Sequence, residues 1–330
     1  MKIWESLFPL AIYYQSSSFK VLTTCATWPN IERLFDATLR QKKNVFYITM
    51  DWGPTYQSSL DFFEKMIPYK DFVFFLSNDH ITHKNRLAAG LRSYLINHNS
   101  WINENVFVCT NEERVYDAVL TARAKKWKRI YLSGKINNLA LVINRWGIEW
   151  HLGKNDNSYL EIPAKYLNDR KLKKDELSIL YNRSKIGMIL STAEGASYTS
   201  SEYLLCGAPV VSTKPEDGIG LGGREFWYTD ENHIMCDPNE YAVHNSVYSL
   251  INRQISPQRI RSKHIALMNK QRLTFLEQVI GPLFNENKPG LDIETYFYQT
   301  LFDPNTMECS LKCEGKSRSW DEINEIFKGD

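Results

Sequence analysis

Residues 189–213 run Ile189-Leu190-Ser191-Thr192-Ala193-Glu194-Gly195-Ala196-Ser197-Tyr198-Thr199-Ser200-Ser201-Glu202-Tyr203-Leu204-Leu205-Cys206-Gly207-Ala208-Pro209-Val210-Val211-Ser212-Thr213. The pattern is strand, loop, short helix, glycine stop, strand. Gly195 and the small residues after it let a ligand approach the main chain. The unpaired amides that open the following helix, expected over Ser200–Cys206, suit a phosphate. Glu194 falls at the carboxyl end of a strand, where open α/β sheets bind ligands, and Glu202 follows eight residues later. Carboxylates so placed accept hydrogen bonds from vicinal sugar hydroxyls.

A second stretch, Tyr116-Asp117-Ala118-Val119-Leu120-Thr121-Ala122-Arg123-Ala124-Lys125-Lys126-Trp127-Lys128-Arg129, again ends a strand in a loop, and it carries several cations. Their natural target is a diphosphate, with Arg as a fork and Lys as a point charge. Cations from one strand end and bare amides from another neutralise and orient the same group, so the two stretches together argue more than either alone.

Outward from these stretches, short β-branched or aromatic runs alternate with helical periods. The first series is strand Lys20–Cys25, helix Ile31–Gln41, strand Val45–Met50, helix Ser58–Ile67, strand Phe72–Leu76 and helix Asn85–Ile96. The polar run Asn97–Glu104 interrupts it. A second series has strand Tyr116–Leu120, a helix from about Lys128, strand Leu139–Ile143, a strand near Tyr159–Ile162, and helix Lys174–Asn182. Strand Ile186–Leu190, the helix over Ser200–Cys206, strand Pro209–Ser212 and helix Tyr241–Asn252 complete it. Alternation of this kind predicts parallel sheets covered by helices, hence an α/β chain of two Rossmann-like β/α/β lobes with a cleft between them. The expected division is an N-terminal lobe over 1–104, a C-terminal lobe over 105–290, and a polar tail over 291–330, for which packing back on the first lobe is one arrangement.

A chain of 330 residues with 43% hydrophobic content has ample material for packed cores. Lys+Arg 40 against Asp+Glu 38 leaves +2, which gives no bulk electrostatic reason to expect nucleic acid. Six scattered cysteines, several inside apolar runs, read as buried thiols of a reducing, cytoplasmic compartment, and Cys309 with Cys313 lacks the further ligands a zinc site needs. The apolar stretch Phe8–Tyr14 is interrupted by Pro9 and is not expected to be a signal peptide. No run reaches the roughly 20 apolar residues of a membrane span, so any membrane contact is expected to be peripheral.

With these residues in view, the sequence resembles the retaining GT-B glycosyltransferases of glycosyltransferase family 4. Glu194 and Glu202 match its E-x7-E motif, and Cys206-Gly207-Ala208-Pro209-Val210-Val211 matches the stop and strand that follow. Arg123 and Lys128 stand at the spacing of its donor-phosphate pair; Gly222-Gly223-Arg224-Glu225 and Asp237-Pro238 resemble its later segments, and Asn99 with Phe107 its hinge. The resemblance covers roughly Ser77 to Leu250, and it is incomplete in that the N-lobe is unusually small for the family. It implies a donor-binding second lobe in which Glu194 holds the sugar hydroxyls, Glu202 the ribose, and Arg123 and Lys128 the departing diphosphate. The amides of Gly195, Ala196, Ser197, Tyr198 and Thr199 add to that grip, and the base lies near Lys165 to Asn168, with Tyr166 as a contact. The reaction needs no metal and no cofactor, and its acceptor is a saccharide, a lipid-linked group or a small molecule. Where the family carries a His-Asp or similar pair, this chain has Thr49-Met50-Asp51, so Asp51 is the candidate for part of that role.

Plainer readings stand beside these. Thr199-x-x-Glu202 also fits a capping box, Lys125 to Arg129 a solvated charge run or a lipid-headgroup patch, and Gly218-x-Gly220-x-Gly222-Gly223 a dinucleotide fingerprint in the wrong place. His80 and His83 read as loop histidines. The rival functions are a GT-B-like sugar-nucleotide epimerase and a nucleotide-sugar-binding module without turnover.

Overall fold

Extended and helical segments alternate, and among the described residues they build two sheets of six strands each. The computed structural model describes residues 7–25, 31–41, 44–50, 60–144, 157–216, 224–287, 292–305, 308–311 and 317–328. The chain divides into two units: Met1–Asn103 with Met268–Asp330, and Glu104–Leu267. Residues 268–290, expected in the C-terminal lobe, are therefore part of the first unit.

In the first unit, strands β1 (Leu7–Gln15) and β2 (Lys20–Thr24) are followed by α1 (Ile31–Gln41), β3 (Val45–Met50), α2 (Leu60–Met66), β4 (Val73–Ser77), α3 (His80–Ala88) and β5 (Arg92–Leu95). Strands β2 to β5 are parallel and adjacent in sequence order, with β1 antiparallel at the edge of β2. The apolar run near the N-terminus is thus a sheet strand. The helix expected over Asn85–Ile96 is instead two elements. Asp79 accepts from the Thr82 amide at 2.8 Å and starts α3 early, and Gly90, at φ +80°, ends it, freeing Arg92–Leu95 to pair with β4.

The second unit contains β6 (Tyr116–Arg123), β7 (Leu139–Asn144), β8 (Tyr166–Leu167), α4 (Lys174–Asn182), β9 (Ser184–Ile189), α5 (Tyr198–Leu205), β10 (Val210–Thr213), α6 (Arg224–Trp227), β11 (His233–Cys236) and α7 (Glu240–Asn252). Its strands are all parallel, in the order β11-β10-β9-β6-β7-β8. Two expectations fail locally. The helix from about Lys128 is a pair of 3-10 turns, Lys126–Lys128 and Ile130–Ser133, hinged at Arg129 with φ 48°. The strand near Tyr159–Ile162 is also a 3-10 turn, Ser158–Glu161, and the pairing strand lies further on at β8.

Helix α8 (Pro257–Phe275) carries the chain from the second unit back into the first, continuing through a π-helical turn, Leu276–Ile280, into α9 (Gly281–Asn287). Helix α10 (Ile293–Thr300), β12 (Ser317–Ser319) and α11 (Trp320–Lys328) complete the first unit, with β12 pairing antiparallel to β1. This returning segment explains how the small lobe closes its core. Side chains alternate along the strands: Leu22, Tyr47 and Phe75 face α1, α2 and α11, whereas Val21, Ile48, Met50, Phe74 and Leu76 face Phe275, Val279, Leu283 and Phe297. A sheet with apolar residues on both faces needs two layers, and the C-terminal segment supplies one of them. Lys20, buried on β2, donates to the Ile326 carbonyl at 2.6 Å, so its ammonium is met by the carbonyl end of α11.

Candidate functional site

The strand order of the second unit sets where a ligand fits. From β6 the chain moves to β7 and β8 on one side, then returns to lay β9, β10 and β11 on the other. The loops after β6 and β9 therefore diverge at their carboxyl ends, the switch point at which open α/β sheets hold ligands. Lys128 lies in the loop after β6 and Glu194 in the loop after β9, and the Lys128 Nζ meets Glu194 Oε1 directly. Only 14% and 12% of the two side chains are exposed, so the pair is partly desolvated and its mutual attraction is less screened than that of a surface ion pair.

Each partner is positioned by its own loop. The Ser191 hydroxyl donates to Glu194 Oε1 at 2.5 Å. The Trp127 ring lies 4.1 Å from the Lys128 ammonium, a cation–π contact. The loops are also joined through the main chain, because the Thr192 amide donates to the Trp127 carbonyl at 2.9 Å. The next residue, Arg129, is buried and bridges to the Lys214 carbonyl at 3.1 Å and to Glu216 at 2.7 Å, which links the loops after β6 and β10.

Helix α5 begins with Ser197 as its N-cap. Thr199 is therefore inside the helix, and the capping-box reading of Thr199 and Glu202 falls. At the far end, Arg261 donates to the Leu205 carbonyl at 2.7 Å and Arg114 to the Cys206 carbonyl at 3.0 Å, so cations meet the negative end of the helix. Gly195, Ala196, Tyr198 and Thr199 are half-buried and Ser197 is buried, on the same carboxyl side as Glu194.

The Tyr181 hydroxyl, with one proton to give, has two acceptors in reach: Thr121 Oγ1 at 3.2 Å and Oε2 of Glu202, half-buried on α5, at 3.5 Å. Burial, and then the Glu202 charge, push the Tyr181 phenol well above its ordinary value, so it stays a donor. The Thr121 amide donates to the Tyr203 hydroxyl at 2.8 Å, just beyond Leu120, the last residue of β6 paired with β9. A tyrosine thus takes over the ladder where the two strands part. Ser191, Trp127, Tyr181 and Tyr203 were not singled out from sequence, because hydroxyl and ring neighbours leave no spacing signal of their own.

Arg123 ends β6 opposite Asn144 and is exposed at the carboxyl edge. Tyr166 is not brought to that edge. It pairs with Ala140, and its ring lies 6.3 Å from that of Tyr116 at the start of β6. Nearer the edge is Asn168, which exchanges hydrogen bonds with the main chain of Ile143 at 2.7 and 3.1 Å. Asp51 and the glycine run 217–223 lie outside the described residues, and Met50 is buried in the apolar layer of the first unit. His80 and His83 sit in the first turns of α3, not in a loop. Among the described residues no three His, Cys, Asp or Glu side chains gather as a metal site.

Two Rossmann-like lobes with a switch-point site in the second can be set against known structures. The chain overlays Anabaena HepE, solved in complex with UDP and glucose, with a TM-score of 0.51 at 15% identity, covering 74% of each chain. It overlays sucrose-phosphate synthase from Thermosynechococcus elongatus with a TM-score of 0.50 at 15% identity, covering 76% of this chain and 70% of that one. The fold is that of the GT-B glycosyltransferases. No family model and no curated protein matches the sequence. Among the described residues no helix is long and apolar enough to cross a membrane.

Proposed function

We propose that the chain is a retaining glycosyltransferase that takes its sugar from a nucleoside diphosphate-sugar held at the carboxyl edge of β6 and β9. The observation that carries this reading is the meeting of Lys128 with Glu194 at the switch point, in the loop that leads into α5. A cation and the amino end of a helix at one strand edge suit a diphosphate, and an adjacent carboxylate suits sugar hydroxyls. The UDP and glucose bound to HepE and the sugar-transferring name of sucrose-phosphate synthase support the same class of ligand.

In this reading Lys128 and Arg123 neutralise the diphosphate as the glycosidic bond to it breaks, a preorganised stabilisation of the leaving group that does not call for a metal. Glu194 orients the sugar, and Glu202, braced by Tyr181, takes the ribose. The acceptor attacks from the face the diphosphate leaves, with a phosphate oxygen receiving its proton, so configuration is retained. The acceptor is a saccharide, a lipid-linked group or a small molecule.

Nucleotide release from candidate donors tests the assignment. Glu194→Ala is expected to abolish transfer while moving the melting temperature by only a few degrees. Arg123→Ala and Lys128→Ala are expected to weaken binding of the nucleoside diphosphate far more than binding of the nucleoside. Equal losses for both ligands would refute the diphosphate assignment, and tight donor binding without release under every acceptor would favour a binding module.

A further inference from the structure

In this structure the ammonium proposed to hold the diphosphate is occupied by the carboxylate proposed to hold the sugar. A nucleoside diphosphate arriving alone must draw Lys128 away from Glu194. That leaves a partly desolvated carboxylate without its counter-charge and facing a phosphate of the same sign. A nucleoside diphosphate-sugar brings hydroxyl donors to Glu194 as its phosphates take Lys128, so both charges stay satisfied. We propose that the Lys128–Glu194 pair is a selectivity latch: it sets the site against the bare nucleoside diphosphate and opens for the sugar-bearing form. This rests on the donor site assigned above.

The surroundings fit an ion pair that opens and closes. The Trp127 ring, 4.1 Å from Lys128 Nζ, offers the ammonium a second stabilising surface while it changes partners. The hydroxyl of Ser191 stays on Glu194 Oε1 and holds the carboxylate in place. After transfer the sugar no longer covers Glu194, Lys128 returns to it, and the nucleoside diphosphate loses its cation. The latch therefore favours product release as well as donor choice, because only interactions that differ between the two ligands discriminate them.

The test is titration calorimetry of UDP, GDP and ADP, and of their glucose conjugates, against the full chain and two variants. Glu194→Gln keeps shape and hydrogen bonding but removes the charge. It is expected to bind whichever diphosphate fits the base site about tenfold more tightly than the parent, and to shrink the preference for the sugar conjugate by at least as much. Ser191→Ala leaves the carboxylate leaning harder on Lys128 and is expected to weaken diphosphate binding about threefold, the opposite sign. Its measurement stands even where the Gln variant fails to fold. Nucleotide binding that is unchanged or weaker in Glu194→Gln, with parental affinity for the diphosphate intact, overturns the latch and leaves the donor site standing. Failure of all six ligands to bind the parent chain overturns both.

Discussion

At Gly187 the main chain of β9 runs against the ring of Tyr203, so close that an added Cβ would sit 2.0 Å from Cδ2. The absence of a side chain lets the ring lie flat on the sheet and lets its hydroxyl reach the Thr121 amide at the point where β6 and β9 separate. Gly187→Ala is expected to destabilise the second unit by about 1–3 kcal/mol or more through overpacking. Tyr203→Phe is expected to cost about 1–3 kcal/mol by leaving the Thr121 N–H without that acceptor. Urea unfolding of Gly187→Ala, Tyr203→Ala and the double variant checks the geometry: removing the ring relieves the clash, so the double variant should cost less than the sum. Neither residue advertises this in sequence, since the two lie 16 positions apart and meet only through the crossover. The E-x7-E spacing was legible because both carboxylates belong to one loop-and-helix segment.

Among the elements, α3 turns an unusual face to its sheet. Its buried residues are Thr82 and Arg86, and Arg86 donates to Ser77 Oγ at 2.9 Å, while Ser77 in turn meets Ser93 at 2.8 Å. His83 Nδ1 joins this chain at Ser93 Oγ, 3.1 Å away. Burial, and then the charges of His80 and Arg86, lower the His83 pKa from its ordinary 6.5. The unfolded chain therefore takes up this proton at a higher pH than the folded one. Stability present above pH 6.5 is lost as the pH falls from there through the folded value. His83→Asn is expected to show a smaller drop in melting temperature between pH 7.5 and pH 5 than the parent, and an equal drop would remove His83 as the cause. Periodicity misplaced this element because its buried face is polar, so apolar spacing pointed past Gly90 into β5. Where a helix buries an apolar face in the ordinary way, as α1 does through Ile31, Leu34 and Phe35, the expected bounds Ile31–Gln41 are those observed.

At the scale of the whole molecule, the second unit is one continuous segment and the first is not. Strands β6, β7 and β9 bury their apolar residues against Val243, Val247 and Leu250 of α7, all within 104–267. The sheet of β1 to β5 depends on Phe275, Leu283 and Phe297 for one face and on Ile323, Ile326 and Phe327 for the other. Each such side chain contributes about 1.5–3 kcal/mol on burial, and the whole margin of a domain is about 5–15 kcal/mol. A fragment of residues 104–267 is therefore expected to melt cooperatively, whereas residues 1–103 alone are expected to give no cooperative transition. Calorimetry of the two fragments decides, and a sharp transition in 1–103 would contradict this account.

By itself the sequence determined the α/β class, the alternating elements, and the loop-and-helix segment that carries Glu194 and Glu202, because strand and helix periods and a contiguous motif are local properties of a chain. Only the tertiary structure decided that Lys128 finds Glu194, that Tyr166 lies away from the carboxyl edge, and that residues 268–330 complete the first lobe. Those outcomes depend on strand order and on which distant surface covers an apolar face. Neither quantity is set by any window of residues, because both are chosen by the packing of the assembled sheets.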